Sequence, residues 1–89
     1  MNDHSKRLID RVFHALGRYE DGTVVEDELL RDIEGICSAI EEEGVQNLVS
    51  KLALKIDESR HLYDVEEGKT FLSLEIGKFK KAMQIEGNR

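Results

Sequence analysis

The stretch from Thr23 to Glu43, TVVEDELLRDIEGICSAIEEE, constrains the fold most, because it has the pattern of an amphipathic α-helix. Its apolar residues recur at intervals of three and four, which places them on one helical face. They are Val25, Leu29, Ile33, Ile36 and Ile40, and the face is widened by Leu30, Cys37 and Ala39. An apolar face of this width is built to be buried, so the stretch predicts a helix that packs against other elements.

The flanking residues predict where this helix begins and ends. Thr23 and Glu26 have the spacing of a capping box, in which a hydroxyl and a carboxylate bind the free amides at a helix start. Gly44 can adopt the left-handed conformation that ends a helix, and Val45 can then pack on the last turn. We therefore expect one helix from about Val24 to Glu43.

The polar face of the same stretch is strongly acidic. Residues 20 to 43 contain ten carboxylates and one basic residue, Arg31, and so carry a charge of −9. The rest of the chain has nine acidic and twelve basic residues and carries +3, which gives the net charge of −6. The ten acidic residues are Glu20, Asp21, Glu26, Asp27, Glu28, Asp32, Glu34, Glu41, Glu42 and Glu43. The molecule is therefore expected to be electrically polarised.

Two interpretations of these carboxylates are open. Glu26, Asp27 and Glu28 fall in the predicted first turn, where the helix dipole stabilises negative charge, so a solvated surface explains them. The cluster from Glu41 to Glu43 falls in the predicted last turn, where the dipole disfavours each carboxylate by about 0.3–1 kcal/mol. Residues that break a local rule often belong to functional sites, so this cluster indicates a surface for a basic partner.

Composition limits the protein classes that this chain of 89 residues can represent. We expect a single helical domain, 1–89, with no internal disulfide, because there is one cysteine and no proline. No apolar run approaches eighteen residues and no signal-peptide pattern is present, so we expect a cytoplasmic protein without membrane contact. The acidic net charge argues against direct nucleic-acid binding, which requires clustered basic residues.

Helical periodicity also dominates the rest of the chain. A first helix is predicted from about His4 to Arg18 and a third from about Gln46 to Leu62. Residues 62–76 fit either a β-hairpin that turns at Gly68 or a helix capped by Thr70, and the helical spacing continues in Leu72, Ile76, Phe79 and Met83. We therefore predict an all-α antiparallel bundle of three to four helices, with a frayed tail at 84–89; the alternative is an α+β fold with a short hairpin around 62–76.

No combination of residues predicts catalysis or metal binding. Cys37 lies on the apolar face, where a thiol acts as a small buried hydrophobic group. The turn at Asp21 half-resembles a calcium loop of the EF-hand type, but Gly17 and Tyr19 occupy positions that require oxygen ligands. The three histidines form no i, i+4 pair that would bind zinc. We expect no enzymatic activity, no cofactor and no metal.

The predicted function is therefore binding. We expect a protein that inhibits or sequesters a basic protein partner through Glu20, Asp21, Glu26, Asp27, Asp32, Glu34, Glu41, Glu42 and Glu43. In size, charge and helical character the chain resembles two groups of bacterial and phage inhibitors, nuclease-toxin immunity proteins and DNA mimics. The resemblance implies a nuclease or a nucleic-acid-binding protein as partner. The alternative is a homodimeric structural adaptor whose charge only keeps it soluble.

The two groups of inhibitors place different demands on geometry. A DNA mimic needs carboxylates spaced like phosphates over a long surface, preferably one with two-fold symmetry, which a dimer would supply. An immunity protein needs a compact patch with aromatic anchors. Exposure of Tyr19 and Tyr63 would therefore indicate the second group.

Overall fold

The computed structural model describes residues 1–87, which form four α-helices and, within that range, no β-strand. The helices are α1 (Asp3–Glu20), α2 (Glu26–Ala39), α3 (Glu43–Leu62) and α4 (Val65–Gly87). The predicted all-α bundle is confirmed, with four helices. The alternative hairpin at 62–76 does not form, since this segment is the end of α3, a two-residue link and the start of α4. None of the four helices has the length and apolar character needed to cross a membrane.

One face of each helix contributes to a single core. Its buried side chains are Leu8, Ile9, Val12, Ala15 and Leu16 of α1, Leu29, Leu30, Ile33 and Ile36 of α2, Val45, Val49, Leu52 and Ile56 of α3, and Leu72, Ile76, Phe79 and Met83 of α4. Each of these Val, Leu, Ile, Phe and Met side chains stabilises the fold by about 1.5–3 kcal/mol through the apolar area that it removes from water. Helices that are neighbours in sequence pack together, and the edge-to-face contact of Phe13 with Phe79, at 6.0 Å between ring centroids, joins α1 to α4.

The start of α2 lies two residues after the predicted start, and the predicted capping box is wrong. The backbone amide and the hydroxyl of Thr23 both donate hydrogen bonds to the carboxylate of Asp21. This turn, in which Gly22 has a φ of +84°, occupies the hydroxyl that was expected to cap the helix. Val25 is the N-cap residue without a side-chain cap, and its side chain is 62% exposed rather than part of the buried face.

The predicted end of α2 is also wrong, because the helix stops at Ala39. Ile40 is buried in an extended conformation. The side-chain amide of Gln46 donates hydrogen bonds of 3.2 and 3.1 Å to the carbonyls of Cys37 and Ile40. These bonds satisfy carbonyls that a helix end leaves free. Gly44, which was expected to end α2, lies instead in the first turn of α3.

The other boundaries agree more closely with the predictions. α1 and α3 each cover the predicted segment and extend beyond it by one to three residues. α4 begins at Val65 rather than at Thr70, and the carboxylate of Asp64 accepts the amide of Glu67 at 2.8 Å, as helix N-cap residues do. α4 runs to Gly87; the end of the tail that we expect to fray, residues 88–89, lies outside the described part of the chain.

Candidate functional site

The structure divides the nine predicted partner-binding carboxylates into three groups. Glu20, Asp21, Glu26 and Asp27 lie where α1 is joined to α2; Asp32 and Glu34 lie on the exposed face of α2; Glu41, Glu42 and Glu43 lie where α2 is joined to α3. The 14 residues of α2 extend about 20 Å at 1.5 Å per residue, so the first and third groups occupy opposite ends of this helix. The nine residues are therefore spread along the whole length of α2 rather than gathered at one end.

The third group does not oppose a helix dipole, contrary to the prediction from sequence. Glu42 is the N-cap residue of α3 and Glu43 lies in its first turn, where the dipole favours negative charge. The carboxylate of Glu42 also accepts the backbone amide of Asn2 at 2.6 Å, and this bond lowers the pKa of Glu42. The prediction was wrong because it extended α2 through this segment. Local helix energetics therefore explain these two carboxylates without a partner.

The second group faces water without ion pairs. Glu28, Asp32 and Glu34 of α2 are exposed, and none has a basic side chain within ion-pairing distance among residues 1–87. Glu28 and Asp32 are four residues apart on one helical face, a like-charge arrangement that costs a few tenths of a kcal/mol. A basic partner that approached this face would remove that repulsion.

Three members of the first group, Glu20, Glu26 and Asp27, line a groove of about 740 Å³ at the end of the bundle where the α1–α2 and α3–α4 links lie side by side. Its apolar and aromatic walls are Tyr19, Val24, Val25, Tyr63 and Val65. Its charged residues are Glu20, Glu26, Asp27 and Asp64 against Arg60 and Lys69, which leaves a net charge of −2. The structure thus brings three of the nine predicted carboxylates together with both tyrosines of the chain.

The two tyrosines are fixed by different contacts. The hydroxyl of Tyr19 donates a hydrogen bond of 3.3 Å to the carboxylate of Glu26. Burial of the Tyr19 ring, together with the negative charge and the hydrogen bond of Glu26, raises the pKa of Tyr19 to about 12. Tyr63 is 40% exposed, and its ring lies against that of Phe71 with 4.9 Å between centroids. Both aromatic walls are therefore held in position before any partner binds.

Ion pairs engage two of the carboxylates at the rim. Arg60 Nε donates to Asp27 at 2.8 Å, and Lys80 Nζ lies 3.3 Å from the carboxylate of Glu20. Sequence reasoning did not identify Arg60 as a site residue, because its partner lies on another helix. Glu26 has no ion pair among the described residues, so its charge faces the groove with only the Tyr19 hydroxyl as partner.

The floor of the groove contains a buried hydroxyl with an unusual environment. Ser59 of α3 is 1% exposed, and its Oγ has no hydrogen-bond partner among residues 1–87. A Cβ atom on Gly68 of α4 would lie 2.8 Å from this Oγ and 3.5 Å from a carboxylate oxygen of Glu26. Ser59 Oγ therefore packs directly against Gly68, where α3 and α4 approach closely. In the sequence, this position is marked by Ser59, a small residue that falls in the apolar stripe of α3.

Two other kinds of residue could carry chemistry, the potential metal ligands and the thiol of Cys37. Within residues 1–87, no group of three or more His, Cys, Asp or Glu side chains is arranged to hold a metal ion. Cys37 is partly buried, and its thiol lies 3.7 Å from the carbonyl of Gln46. Burial, followed by the negative charge of Glu34, raises the pKa of the Cys37 thiol and so disfavours the reactive thiolate.

No known protein family, curated protein or solved structure matches this chain. The function must therefore be argued from the geometry and charge of the groove and of α2.

Proposed function

We propose that this protein is a non-enzymatic binding protein that inhibits or sequesters a basic protein partner, and that the groove is its main contact site. The observation that carries the proposal is the convergence of Tyr19, Tyr63, Glu26 and Asp27 on one concave surface. Binding energy at protein interfaces is concentrated in a few aromatic and charged anchors that fill or line pockets. Acidic side chains beside two fixed tyrosines have this composition.

The distribution of charge supports a basic partner. Besides the groove, six exposed carboxylates of the acidic segment have no ion pair among the described residues; they are Asp21, Glu28, Asp32, Glu34, Glu41 and Glu43. Unpaired charges of one sign create a field that raises the association rate of an oppositely charged protein by about 10-fold to 1,000-fold at low salt. We propose that these residues attract the partner and that the groove holds it.

The geometry favours an inhibitor of the nuclease-immunity kind over a DNA mimic. The carboxylates lie in three groups, and several are already engaged by Lys80, Arg60 and the amide of Asn2, so they do not form a long regular array. A compact groove with aromatic walls suits a partner that inserts side chains. We therefore propose a nuclease toxin as the partner, binding in the cytoplasm, with no direct contact of this chain to nucleic acid or membrane.

A homodimeric adaptor is the second candidate, and one observation favours it. Large exposed apolar side chains occur mainly on α3, α4 and the link between them; they are Leu54, Leu62, Tyr63, Val65, Leu74 and Ile85. Such side chains would be covered if two copies packed together. Sedimentation equilibrium across a range of protein concentrations tests this candidate, since an adaptor of this kind sediments as a dimer.

The proposed function is tested by capture from a nuclease-treated lysate of the source organism on immobilised protein, with elution by a salt gradient. We expect one basic protein to be retained at low salt and released at high salt. In kinetic binding measurements with that protein, Tyr63→Ala should increase the dissociation rate, because it removes an anchor. The triple change Glu28→Gln, Asp32→Asn and Glu34→Gln should mainly lower the association rate.

Glu41→Gln provides a matched control for Glu26→Gln. Both changes remove one charge, but Glu41 lies at the other end of α2, so Glu26→Gln should weaken binding much more. Capture of no basic protein, or equal affinity of wild type and all these variants, would refute the proposed function.

A further inference from the structure

We infer that the cleft between α1 and α2 binds the diphosphate group of a small molecule through Arg11, Arg18 and Arg31, with His14 beside them. The ligand class includes inorganic pyrophosphate and nucleoside diphosphates, which share this group. The α1–α2 cleft has no lining residue in common with the groove, so this inference does not depend on the proposed function.

The α1–α2 cleft is a basic surface in an acidic protein. Its volume is about 540 Å³, and its charged side chains are the three arginines against Asp10 and Asp32. With His14 neutral, these side chains give the cleft a net charge of +1, whereas the whole chain carries −6. The three arginines and His14 are exposed, so a ligand from solution reaches them directly.

The arginines of the cleft have no ion-pair partner. Although acidic residues outnumber basic ones by 19 to 13 in this chain, none of Arg11, Arg18 and Arg31 lies within ion-pairing distance of a carboxylate among residues 1–87. Basic residues of α3 and α4, such as Arg60 and Lys80, do form such pairs. An anion that enters the cleft therefore meets guanidinium groups that no carboxylate already engages.

The cations of the cleft are spread along its length. Arg18 of α1 and Arg31 of α2 each lie within two helical turns of the link 21–25, so they are near the same end of the cleft on opposite sides. Arg11 lies seven residues before Arg18, or about 10 Å further along α1 at 1.5 Å per residue. His14 lies between them on the same helical face. This arrangement suits two linked phosphates better than a single small anion.

The charges of the cleft also select the chemistry of the ligand. A guanidinium group binds two phosphate oxygens at once in a planar fork, and such charge-assisted hydrogen bonds are stronger than neutral ones. Asp10 and Asp32 repel anions, so a multiply charged diphosphate is favoured over a ligand with one carboxylate. No Phe, Tyr or Trp side chain of residues 1–87 lines the cleft, so a nucleotide base has no such ring to stack on. We therefore expect recognition of the phosphates alone.

Small residues keep the centre of the cleft open. Ala15 of α1 and Gly35 and Ala39 of α2 line it beside the basic side chains. A Cβ on Gly35 would meet no atom within 4 Å, so a larger side chain fits at this position without displacing its neighbours. Gly35 is therefore a position at which the cleft can be blocked in a folded protein.

The inference is tested by titrating the isolated protein with inorganic pyrophosphate in the presence of EDTA, while the backbone amide signals are followed by NMR. ADP, AMP, orthophosphate and citrate are titrated in parallel at equal ionic strength. We expect saturable shifts at His14, Arg18, Arg31 and Gly35 with pyrophosphate, a similar affinity for ADP, and about tenfold weaker binding of AMP, orthophosphate and citrate. Citrate affinity equal to that of pyrophosphate, or pyrophosphate shifts confined to other parts of the chain, would overturn the inference.

Matched variants separate the cleft from the general charge of α1. Arg18→Gln and Arg31→Gln should each weaken pyrophosphate binding about tenfold, because each removes a charge-assisted contact. Arg7→Gln is the control, since Arg7 is exposed and has no ion pair among the described residues but does not line the cleft. Its affinity should stay close to that of wild type.

Gly35→Glu places a carboxylate in the open centre of the cleft and should abolish pyrophosphate binding. Thermal unfolding of each variant confirms that it is folded. Equal affinity of wild type, Arg31→Gln and Gly35→Glu would refute the site.

A nucleic-acid backbone is the alternative occupant, because its phosphates also attract arginine. We expect a single-stranded oligonucleotide to bind more weakly than pyrophosphate, since the net charge of −6 repels a long polyanion. Tighter binding of the oligonucleotide, with shifts at Arg18 and Arg31, would assign the cleft to nucleic acid and overturn the inference.

Discussion

Arg60 Nε, in the last turn of α3, donates a 2.8 Å hydrogen bond to the carboxylate of Asp27 in the first turn of α2. The side chains are 33% and 65% exposed, so water screens the pair and we expect a coupling energy of only about 0.2–1 kcal/mol. A double-mutant cycle of Asp27→Asn and Arg60→Gln, measured by urea unfolding, determines this energy. The coupling should shrink in 1 M NaCl; a coupling that salt leaves unchanged would contradict the prediction.

The contact between Ser59 and Gly68 predicts non-additive effects on stability. Ser59→Ala removes a buried hydroxyl without a partner and should raise the free energy of unfolding by about 1 kcal/mol. Gly68→Ala places a methyl 2.8 Å from Ser59 Oγ and should lower it by about 1–2 kcal/mol. The double variant should be more stable than the sum of the two effects, because the first change removes the atom with which the second collides. Additive effects in chemical denaturation would show that the contact relaxes freely.

Substitution of two other glycines by alanine should have the opposite effect on stability from Gly68→Ala. Gly35 and Gly77 are exposed inside helices, and a Cβ on either would meet no atom within 4 Å. Alanine at each should therefore stabilise the protein by about 0.5–1 kcal/mol through helix propensity. Gly22→Ala is the contrasting control, since its φ of +84° makes a Cβ unfavourable by about 1–2 kcal/mol. Thermal unfolding of the three variants compares these signs directly.

Burial of the Tyr19 ring, together with the charge and the hydrogen bond of Glu26, predicts a tyrosine that titrates late. Because the folded protein raises the pKa of Tyr19 to about 12 from an ordinary value of 10.0, the folded state retains the phenolic proton longer than the unfolded state. The resulting stability is complete below pH 10 and is lost as the pH rises towards 12. Ultraviolet titration should show this late transition, and Glu26→Gln should move it to lower pH. A Tyr19 transition at pH 10 would contradict the geometry.

The lowered pKa values of two carboxylates predict that the protein loses stability in acid. The amide of Asn2 lowers the pKa of Glu42, and the side-chain and backbone hydrogen bonds from Thr23 lower that of Asp21. The folded state therefore releases these protons more readily than the unfolded state. The stability that the two carboxylates contribute is present above their ordinary pKa values and is lost as the pH falls through their pKa values in the folded state. NMR titration of the carboxyl groups measures the shifts. Glu42→Gln should flatten the fall in stability below about pH 4.5, the ordinary pKa of its carboxyl group.

Hydrophobic spacing predicted the helices because it depends only on neighbouring residues. The stripes that contain Leu16, Ile33, Ile56 and Leu72 are buried as expected, and the preference for a helix over a hairpin at 62–76 is confirmed. The boundaries of α2 failed for a different reason. The sequence allowed Thr23 either to cap the helix or to form a turn with Asp21; the structure has the turn, and Val24 is buried directly after it.

The candidate site was less accessible to sequence reasoning because its residues come from separate segments. The acidic residues and the two tyrosines were identified, but the sequence could not show that Tyr19 and Tyr63 line one groove. Ser59 and Gly68 are nine positions apart in the sequence, and they come into contact only because α3 and α4 approach closely. The dipole argument for the cluster at Glu41 to Glu43 was wrong for Glu42 and Glu43, because one misplaced helix end reversed the sign of their interaction with the dipole.

The order of packing along the chain has a consequence for how the protein folds. α1 packs on α2, α2 on α3 and α3 on α4, so most of the core forms between segments that short links already hold close together. Chains with such local topology fold on a timescale of about microseconds to milliseconds. The contact of Phe13 with Phe79 is different, since it joins residues that are 66 positions apart in the chain of 89. The meeting of α1 and α4 is thus the step with the greatest entropic cost, and it should come last on the folding pathway.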